Sequence, residues 1–179
     1  MTRTEGVLIH DIAPDFRVLD VWELPTPGGR DDFPRLVELM RTVDLTGGSA
    51  VVKALFAIRL KVGGLLGLDR TPREPGGAVR SLRGRVPAGL PAGPSVRHFS
   101  SLYLTDDEWA LELANKTVHG VLHVAWVRDG HIYRGRLTVL VKPNGLFGKA
   151  YLAAIAPFRH RIVYPTMLRQ IGEAWQQVP

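Results

Sequence analysis

Two histidines, His119 and His123, lie four residues apart and look at first like a metal-binding pair, with the carboxylates of Glu108 and Glu112 nearby. On a helix this spacing would place both rings on one face. The surrounding pattern predicts a β-strand instead, and four residues along a strand span about 13 Å, which is too far for two ligands of one metal. We therefore predict two cross-strand pairs, each a histidine facing a glutamate, on a solvent or interface face.

Other chemical motifs are few. The chain contains no cysteine, which excludes disulfides, thiolate chemistry and cysteine-ligated zinc. It contains no glycine-rich phosphate loop and no nucleophile elbow. His98 either lines a pocket on the apolar face of the sheet or marks the end of a strand. The sequence therefore predicts no cofactor and no metal, and it leaves the catalytic residues and the question of enzymatic activity open.

Apolar and polar residues alternate between His98 and Val141, as expected for the strands of a half-buried antiparallel sheet. The Asp129-Gly130 pair is a strong signal for a two-residue hairpin turn. A turn centred there pairs Trp126 with Tyr133 and leaves one face of the sheet apolar and the other mixed. A further strand is predicted at the start of this region, over Val96 to Leu104.

A tight turn at Asn115-Lys116 extends the same two faces to the preceding strand and places Trp109 opposite Leu122 on the apolar face. Gly120 and Gly135 fall on that face as well. Their missing side chains leave room either for a ligand or for a closely packed helix. Because two independent turns agree on one apolar face, the sequence predicts a sheet that another element must cover.

The last stretch of the chain, Asn144 to Gln177, is the longest predicted helix and can cover that face. Its apolar residues recur at helical spacing, but Pro157 and Pro165 interrupt the hydrogen bonds of a helix. We therefore expect a kinked helix or two abutting helices. The earlier part of the chain predicts a strand over Pro14 to Leu24, a helix from Pro34, a second helix over Ala50 to Leu66 and a long Pro/Gly-rich loop over 69–95.

Length and composition restrict the class of protein. A chain of 179 residues, 45% of them hydrophobic, suits one globular domain, 14–179, preceded by an N-terminal extension, 1–13. The start of the chain does not have the pattern of a signal peptide, and charges interrupt the most apolar stretch, so we expect no membrane span and a cytoplasmic location. The net charge of +6 indicates a solvated basic surface and not a nucleic-acid interface, because no nucleic-acid-binding motif accompanies it.

The order of the predicted elements resembles the START-like (SRPBCC) helix-grip fold. Residues 54–68 and 145–168 resemble the signature segments of an uncharacterised bacterial family in that superfamily, designated only as a domain of unknown function. The second segment contains the aromatic and basic stretch of that family, here Pro157, Phe158, His160, Arg161, Ile162 and Val163. The resemblance implies an α+β fold in which a curved antiparallel sheet wraps around the long C-terminal helix.

The resemblance also implies a function, because relatives in the wider superfamily bind lipids, hormones or polyketides between the sheet and the last helix. It implies a pocket for a hydrophobic small molecule, lined by Trp109, Leu111, Leu122, Tyr133, Leu137, Val139, Tyr151, Ile155, Phe158 and His98. One alternative is a cyclase or dehydratase that uses His98 or Tyr133 in the same cavity. Another is a non-catalytic interaction domain with a filled core, which would form a homodimer or bind a partner through the mixed face of the sheet.

Overall fold

The computed structural model of the chain describes residues 7–43, 80–114, 118–143 and 145–177. The α+β class is confirmed. The elements, in chain order, are α1 (Val7–Ile12), β1 (Arg17–Glu23), α2 (Phe33–Thr42), a 3₁₀ turn (Leu82–Arg85), β2 (Ser100–Leu104), β3 (Glu108–Ala114), β4 (Val118–Asp129), β5 (Ile132–Pro143), α3 (Gly145–Phe158), a π turn (Arg159–Val163) and α4 (Tyr164–Gln177). The predicted second helix, Ala50 to Leu66, lies outside the described residues.

The five strands form one antiparallel sheet in the order β1-β5-β4-β3-β2. The β4–β5 hairpin turns at Gly130-His131, where Gly130 has a positive φ of 62° that favours glycine. The predicted turn at Asp129-Gly130 is wrong by one position, so Trp126 lies opposite Gly135 instead of Tyr133. Because this error changes each pairing by two residues, every side chain keeps its predicted face.

The main core lies between the apolar face of the sheet and the helices α2 and α4. Trp109, Val124 and Leu137 from the sheet are buried there together with Leu36 of α2 and Ile171 of α4. The predicted role of the C-terminal helix as a cover for this face is thus confirmed for α4.

The second face of the sheet is covered too. Ile9 and Ile12 of α1, which lies within the predicted N-terminal extension, and Leu82 of the 3₁₀ turn pack against it. The prediction of a solvent or interface face is therefore wrong for the two strand histidines: His119 and His123 are each 3% exposed. The sheet is an inner layer of the described structure, with apolar contacts on both sides.

The C-terminal helical stretch is continuous along the chain but not regular. Pro157 lies inside α3 and Pro165 is the second residue of α4, on either side of the π turn. Because proline cannot donate a backbone hydrogen bond, the i→i−4 pattern is weakened at both places, and the π turn replaces it between them. Of the two predicted alternatives, a kinked helix or two abutting helices, the structure has the second: α3 and α4 are joined by the π turn without a loop. In the described part of the chain, no helix combines the length and the apolar content that a bilayer crossing requires.

Candidate functional site

A β-bulge in β1 directs an acidic residue towards the helices. Val18 pairs with Leu140 and Asp20 pairs with Val139, so Leu19 has no partner in the β1–β5 ladder. This extra residue leaves Val18 on the second face and turns Asp20 onto the apolar face. The sequence pattern places Val18 and Asp20 on the same face, and the bulge is the reason that this prediction is wrong.

Three side chains from the π turn and the start of α4 bind the carboxylate of Asp20. It accepts a hydrogen bond of 2.8 Å from the hydroxyl of Tyr164, and it lies 2.9 Å from Nε of Arg159 and 3.3 Å from Nε2 of His160. The Asp20 side chain is only 7% exposed. We call these four residues the Asp20 cluster. A carboxylate buried to this degree is costly unless opposite charges and hydrogen-bond donors surround it.

The π turn explains how the cluster assembles. Arg159 and Tyr164 are five residues apart, and in a regular α-helix of 3.6 residues per turn their side chains would point about 140° away from each other. In the π turn the backbone N–H of Tyr164 bonds to the carbonyl of Arg159, an i→i+5 contact that brings the two residues to the same side. Both side chains therefore reach Asp20. Single π turns inside α-helices are often found at functional sites.

The chemistry available to the cluster follows from its burial. Burial raises the pKa of the Tyr164 phenol, and the hydrogen bond to Asp20 raises it further, so the hydroxyl remains a donor. The imidazole of His160 is 46% exposed, which makes it the member that solvent or a ligand can reach. Its ring lies 6.2 Å from that of Trp22 and 5.7 Å from that of Tyr164. The cluster can donate hydrogen bonds and presents the His160 imidazole to solvent, but it contains no serine or cysteine nucleophile.

An apolar floor borders the cluster. Asp20 lies opposite Val139, which in turn lies opposite Leu122, so the carboxylate and two half-buried apolar side chains form one row across the sheet. The next row contains Gly120. A methyl group added there would lie 3.9 Å from the carbonyl oxygen of Leu140, and no described side chain would be closer. Among the described residues, the surface above Gly120 is open.

The second glycine of the apolar face has the opposite environment. A methyl group at Gly135 would come within 2.6 Å of Leu36 Cδ2 and 2.9 Å of Leu24 Cδ1. Both leucines are completely buried, and Leu36 belongs to α2. Of the two interpretations that the sequence leaves open for these glycines, close helix packing therefore applies to Gly135, whereas no described helix packs closely against Gly120.

The residues expected to line a pocket occupy different positions in the structure. Six of them come together on the apolar face of the sheet: Trp109, Leu111 and Leu137 inside the core, and Leu122, Tyr133 and Val139 packed against it. Ile155 is half-buried in α3, whereas Phe158 is 49% exposed. The side chain of Tyr151 lies outside the described residues. His98 is exposed in a turn between Val96 and Phe99, away from the row that contains Asp20.

Sequence analysis missed the central residue of the site. Asp20 is an acid within the apolar alternation of the first strand, which is an unusual position, but its partners lie far away in the chain: Tyr164 is 144 residues distant. The aromatic and basic stretch that contains His160 does carry a signal, because it is the segment on which the family resemblance was based. The combination of an acid on an apolar strand face and a basic helix segment was the sequence signal that could have predicted their contact.

The second face carries the two predicted histidine–glutamate pairs. Nε2 of His119 lies 3.1 Å from Oε2 of Glu112, and Nε2 of His123 lies 3.3 Å from Oε2 of Glu108. The partners are diagonal neighbours, because Glu112 lies directly opposite Val121 in the β3–β4 ladder. The predicted partners are therefore confirmed as contacts, but the pairs are diagonal and buried, where directly opposite pairs on a solvent or interface face were predicted.

Glu112 is the best-connected acid of the second face. It accepts hydrogen bonds from the hydroxyl of Ser81 and, at 2.9 Å, from the backbone N–H of Leu82, in addition to its contact with His119. Burial raises the pKa of this carboxyl, but the hydrogen bonds outweigh burial and hold the pKa below its ordinary value. The residue thus ties the segment of the 3₁₀ turn to the sheet, which is a structural role.

A groove of about 410 Å³ opens on the second face, beside α1. Its lining is mixed and consists of Ile9, His10, Val18, Val21, Glu23, His123, Ala125, Val127, Arg136 and Thr138. Arg136 and Glu23 form an ion pair of 2.7 Å, and Nε2 of His123 contacts Glu108, so these polar side chains already have partners within the protein. Within the described ranges, no three His, Asp or Glu side chains are grouped as ligands for a metal.

Fold and site together define an α+β protein whose antiparallel sheet carries a buried, cation-bound carboxylate beneath a long C-terminal helical cover. The chain belongs to the family described as protein of unknown function (DUF2867), whose sequence model matches residues 12–166. That match includes all four residues of the Asp20 cluster. No curated protein and no solved structure matches the chain.

Proposed function

We propose that the protein binds a hydrophobic small molecule, of the lipid or polyketide-like kind, between the sheet and the C-terminal helices. This would be the binding mode implied by its resemblance to the bacterial, START-like helix-grip proteins. The observation that carries the proposal is the half-buried apolar floor around Gly120, which borders the Asp20 cluster. An apolar cleft with a few polar groups at one end is the usual form of a small-molecule site.

The two halves of the helical cover differ in a way that supports this location. Beneath α4 the space is filled: Trp126 and Trp175 lie 5.9 Å apart, and their indole N–H groups donate to the carbonyls of Gly29 and Pro27. On the row of the sheet that contains Asp20, Leu122 and Val139 keep part of their surface exposed. A ligand would therefore lie over this half, which is open among the described residues, and not under α4.

An enzymatic function is the second candidate, and one observation favours it. His160 is half exposed and its Nε2 lies 3.3 Å from the buried carboxylate of Asp20, an arrangement that orients an imidazole for acid–base chemistry. A cyclase or dehydratase would use such a group beside an apolar cavity. His160 replaces the expected candidate His98, which the structure places in an exposed turn.

An interaction domain with a filled core is the third candidate. The tryptophan packing beneath α4 fits it, and so does the groove on the second face, where exposed Val18 and Val21 could contact another protein. A homodimer formed through this face is the specific form of that hypothesis.

Dye binding by the purified protein, expressed in the cytoplasm of a host cell, tests the first candidate. The purified protein should enhance the fluorescence of an uncharged apolar dye such as Nile red, and native mass spectrometry should detect any co-purified ligand. Gly120→Leu places a side chain over the apolar floor and should weaken dye binding by about tenfold, which corresponds to about 1.4 kcal/mol. Val21→Leu enlarges a side chain in the groove of the second face by one methylene group and serves as the control for that location.

Two outcomes would overturn the proposed location. If Val21→Leu weakens binding and Gly120→Leu does not, the ligand occupies the groove on the second face. If the wild-type protein binds no dye and has the mass of a dimer without a ligand, the interaction domain becomes the preferred function.

A further inference from the structure

The geometry points to a ligand that enters the Asp20 cluster with an uncharged acceptor oxygen, such as the carbonyl of a ketone, ester or amide, and not with a carboxylate or phosphate. This inference rests on the proposed function and specifies the chemical class of the ligand. It follows from one donor without a partner and from the charge balance around it.

The donor is Nη1 of Arg159. It is buried, and among the described residues it has no hydrogen-bond partner. Of the other two nitrogens of the guanidinium group, Nε lies 2.9 Å from Asp20 as an ion pair without a directed hydrogen bond, and Nη2 lies 3.5 Å from Nε2 of His160. Because the group is planar and rigid, these two contacts fix the direction of the Nη1 donors. An unsatisfied N–H in such a place is unfavourable, and an acceptor atom from a ligand would relieve it.

A second donor lies close by. The buried indole N–H of Trp22 faces the hydroxyl of Tyr164, where it lowers the pKa of the phenol without completing a hydrogen bond, and the two rings lie 4.9 Å apart. The hydroxyl of Tyr164 already donates to Asp20. The cluster therefore has a surplus of donors, so the complementary group on a ligand is an acceptor and not a further donor.

Charge balance decides between a neutral acceptor and an anion. The positive charge of Arg159 is already neutralised by Asp20, and both side chains are largely buried, at 14% and 7% exposure. A ligand carboxylate would bring a second negative charge beside Asp20, and two carboxylates sharing one buried site repel each other strongly. A carbonyl oxygen accepts the same hydrogen bond without adding charge. Its apolar chain would then extend over Leu122 and Val139, the side chains that share the row of Asp20.

Competitive binding of laurate, methyl laurate and dodecane tests the inference, because these compounds share an apolar chain and differ at one end. At about pH 8, where an ordinary histidine is neutral, methyl laurate should displace Nile red about tenfold better than either laurate or dodecane. Arg159→Met should abolish the advantage over dodecane while dodecane binding remains. Arg161→Met removes the same charge from an exposed neighbour and should leave the preference intact.

Asp20→Asn provides an independent check if Arg159→Met fails to fold. Loss of the buried negative charge leaves Arg159 unbalanced, so laurate should bind at least as well as methyl laurate to this variant. If all three compounds bind the wild-type protein equally, or if laurate binds best, the inference of an uncharged acceptor is wrong while the proposed function stands. If neither the dye nor any of the three compounds binds, the proposed function itself fails.

Discussion

The two glycines of the apolar face allow a direct test of whether the surface above Gly120 is open. Replacing each of them by alanine adds one methyl group to the same face of the same sheet. At Gly135 that methyl group would lie 2.6 Å from Leu36 and 2.9 Å from Leu24, both completely buried, so the core must shift. Overpacking of this kind costs about 1–3 kcal/mol.

At Gly120 the same methyl group makes only ordinary contacts with described atoms, the nearest being the carbonyl oxygens of Leu140 at 3.9 Å and Leu113 at 4.0 Å. Gly120 does not have a positive φ, so alanine is accepted without backbone strain. Alanine also restricts the unfolded chain, which stabilises the folded state by about 0.4–1 kcal/mol. Because this gain is common to both variants, they should differ by the overpacking cost alone, about 1–3 kcal/mol in the free energy of unfolding.

Urea titration of both variants beside the wild-type protein measures this difference. Gly120→Ala should unfold at the same or a higher urea concentration than the wild-type protein, and Gly135→Ala at a clearly lower one. The slope of the transition should be unchanged in both, because neither substitution alters the surface exposed on unfolding. If Gly120→Ala destabilises the protein as much as Gly135→Ala, the space above Gly120 is occupied, and the floor of the proposed site does not exist.

Three further predictions concern the cluster, the second face and the π turn. Tyr164→Phe removes the donor to Asp20 and should lower the free energy of unfolding by about 1.5–3 kcal/mol in urea titration; an unchanged midpoint contradicts the hydrogen bond. The pKa of Glu112 in the folded protein is lower than its ordinary value of 4.5, so the ionised carboxylate stabilises the fold at a pH above 4.5. This contribution is lost as the pH falls through the folded pKa. Glu112→Gln should therefore lose less stability than the wild-type protein on acidification below 4.5, and parallel pH curves would refute this. Insertion of one alanine after Ile162 should destabilise the protein more than Ile162→Ala does, because a spacing of six residues turns Arg159 and Tyr164 to different sides of the helix; equal unfolding midpoints would show that the π turn has no such role.

The apolar face of the sheet could be predicted because strand periodicity tolerates small errors of register. The predicted turn at Asp129-Gly130 was misplaced by one residue, yet Trp126 and Leu122 remained on the correct face, since the pairing changed by two. For the same reason His119 and His123 still contact the predicted glutamates, although as diagonal neighbours and not as the directly opposite pairs that were predicted. Sequence alternation thus determines faces more reliably than partners.

The cover of the second face could not be predicted in the same way. α1 has six residues, too few to show a helical period, and the 3₁₀ turn has four. Both lie in segments that sequence analysis interpreted as an extension and a loop. Without them, the buried histidines were assigned to an exposed face.

The Asp20 cluster escaped prediction because two local irregularities create it. A bulge at Leu19 changes the face on which Asp20 lies, and a π turn changes the side of the helix on which Arg159 lies relative to Tyr164. Periodicity arguments assume regular elements and therefore fail at these two places. Such departures from regularity are expected to coincide with functional residues.

The bulge and the π turn also have a consequence for how this chain can change in length. Because the ion pair between Asp20 and Arg159 joins these two irregular segments, each of which already holds one extra residue, adding a further residue to either would rotate one partner out of reach. Insertions among natural versions of this fold should then avoid residues 18–22 and 157–165 and accumulate in surface turns such as Gly130-His131. The positions at which related chains differ in length would then identify the site as clearly as the residues that they share.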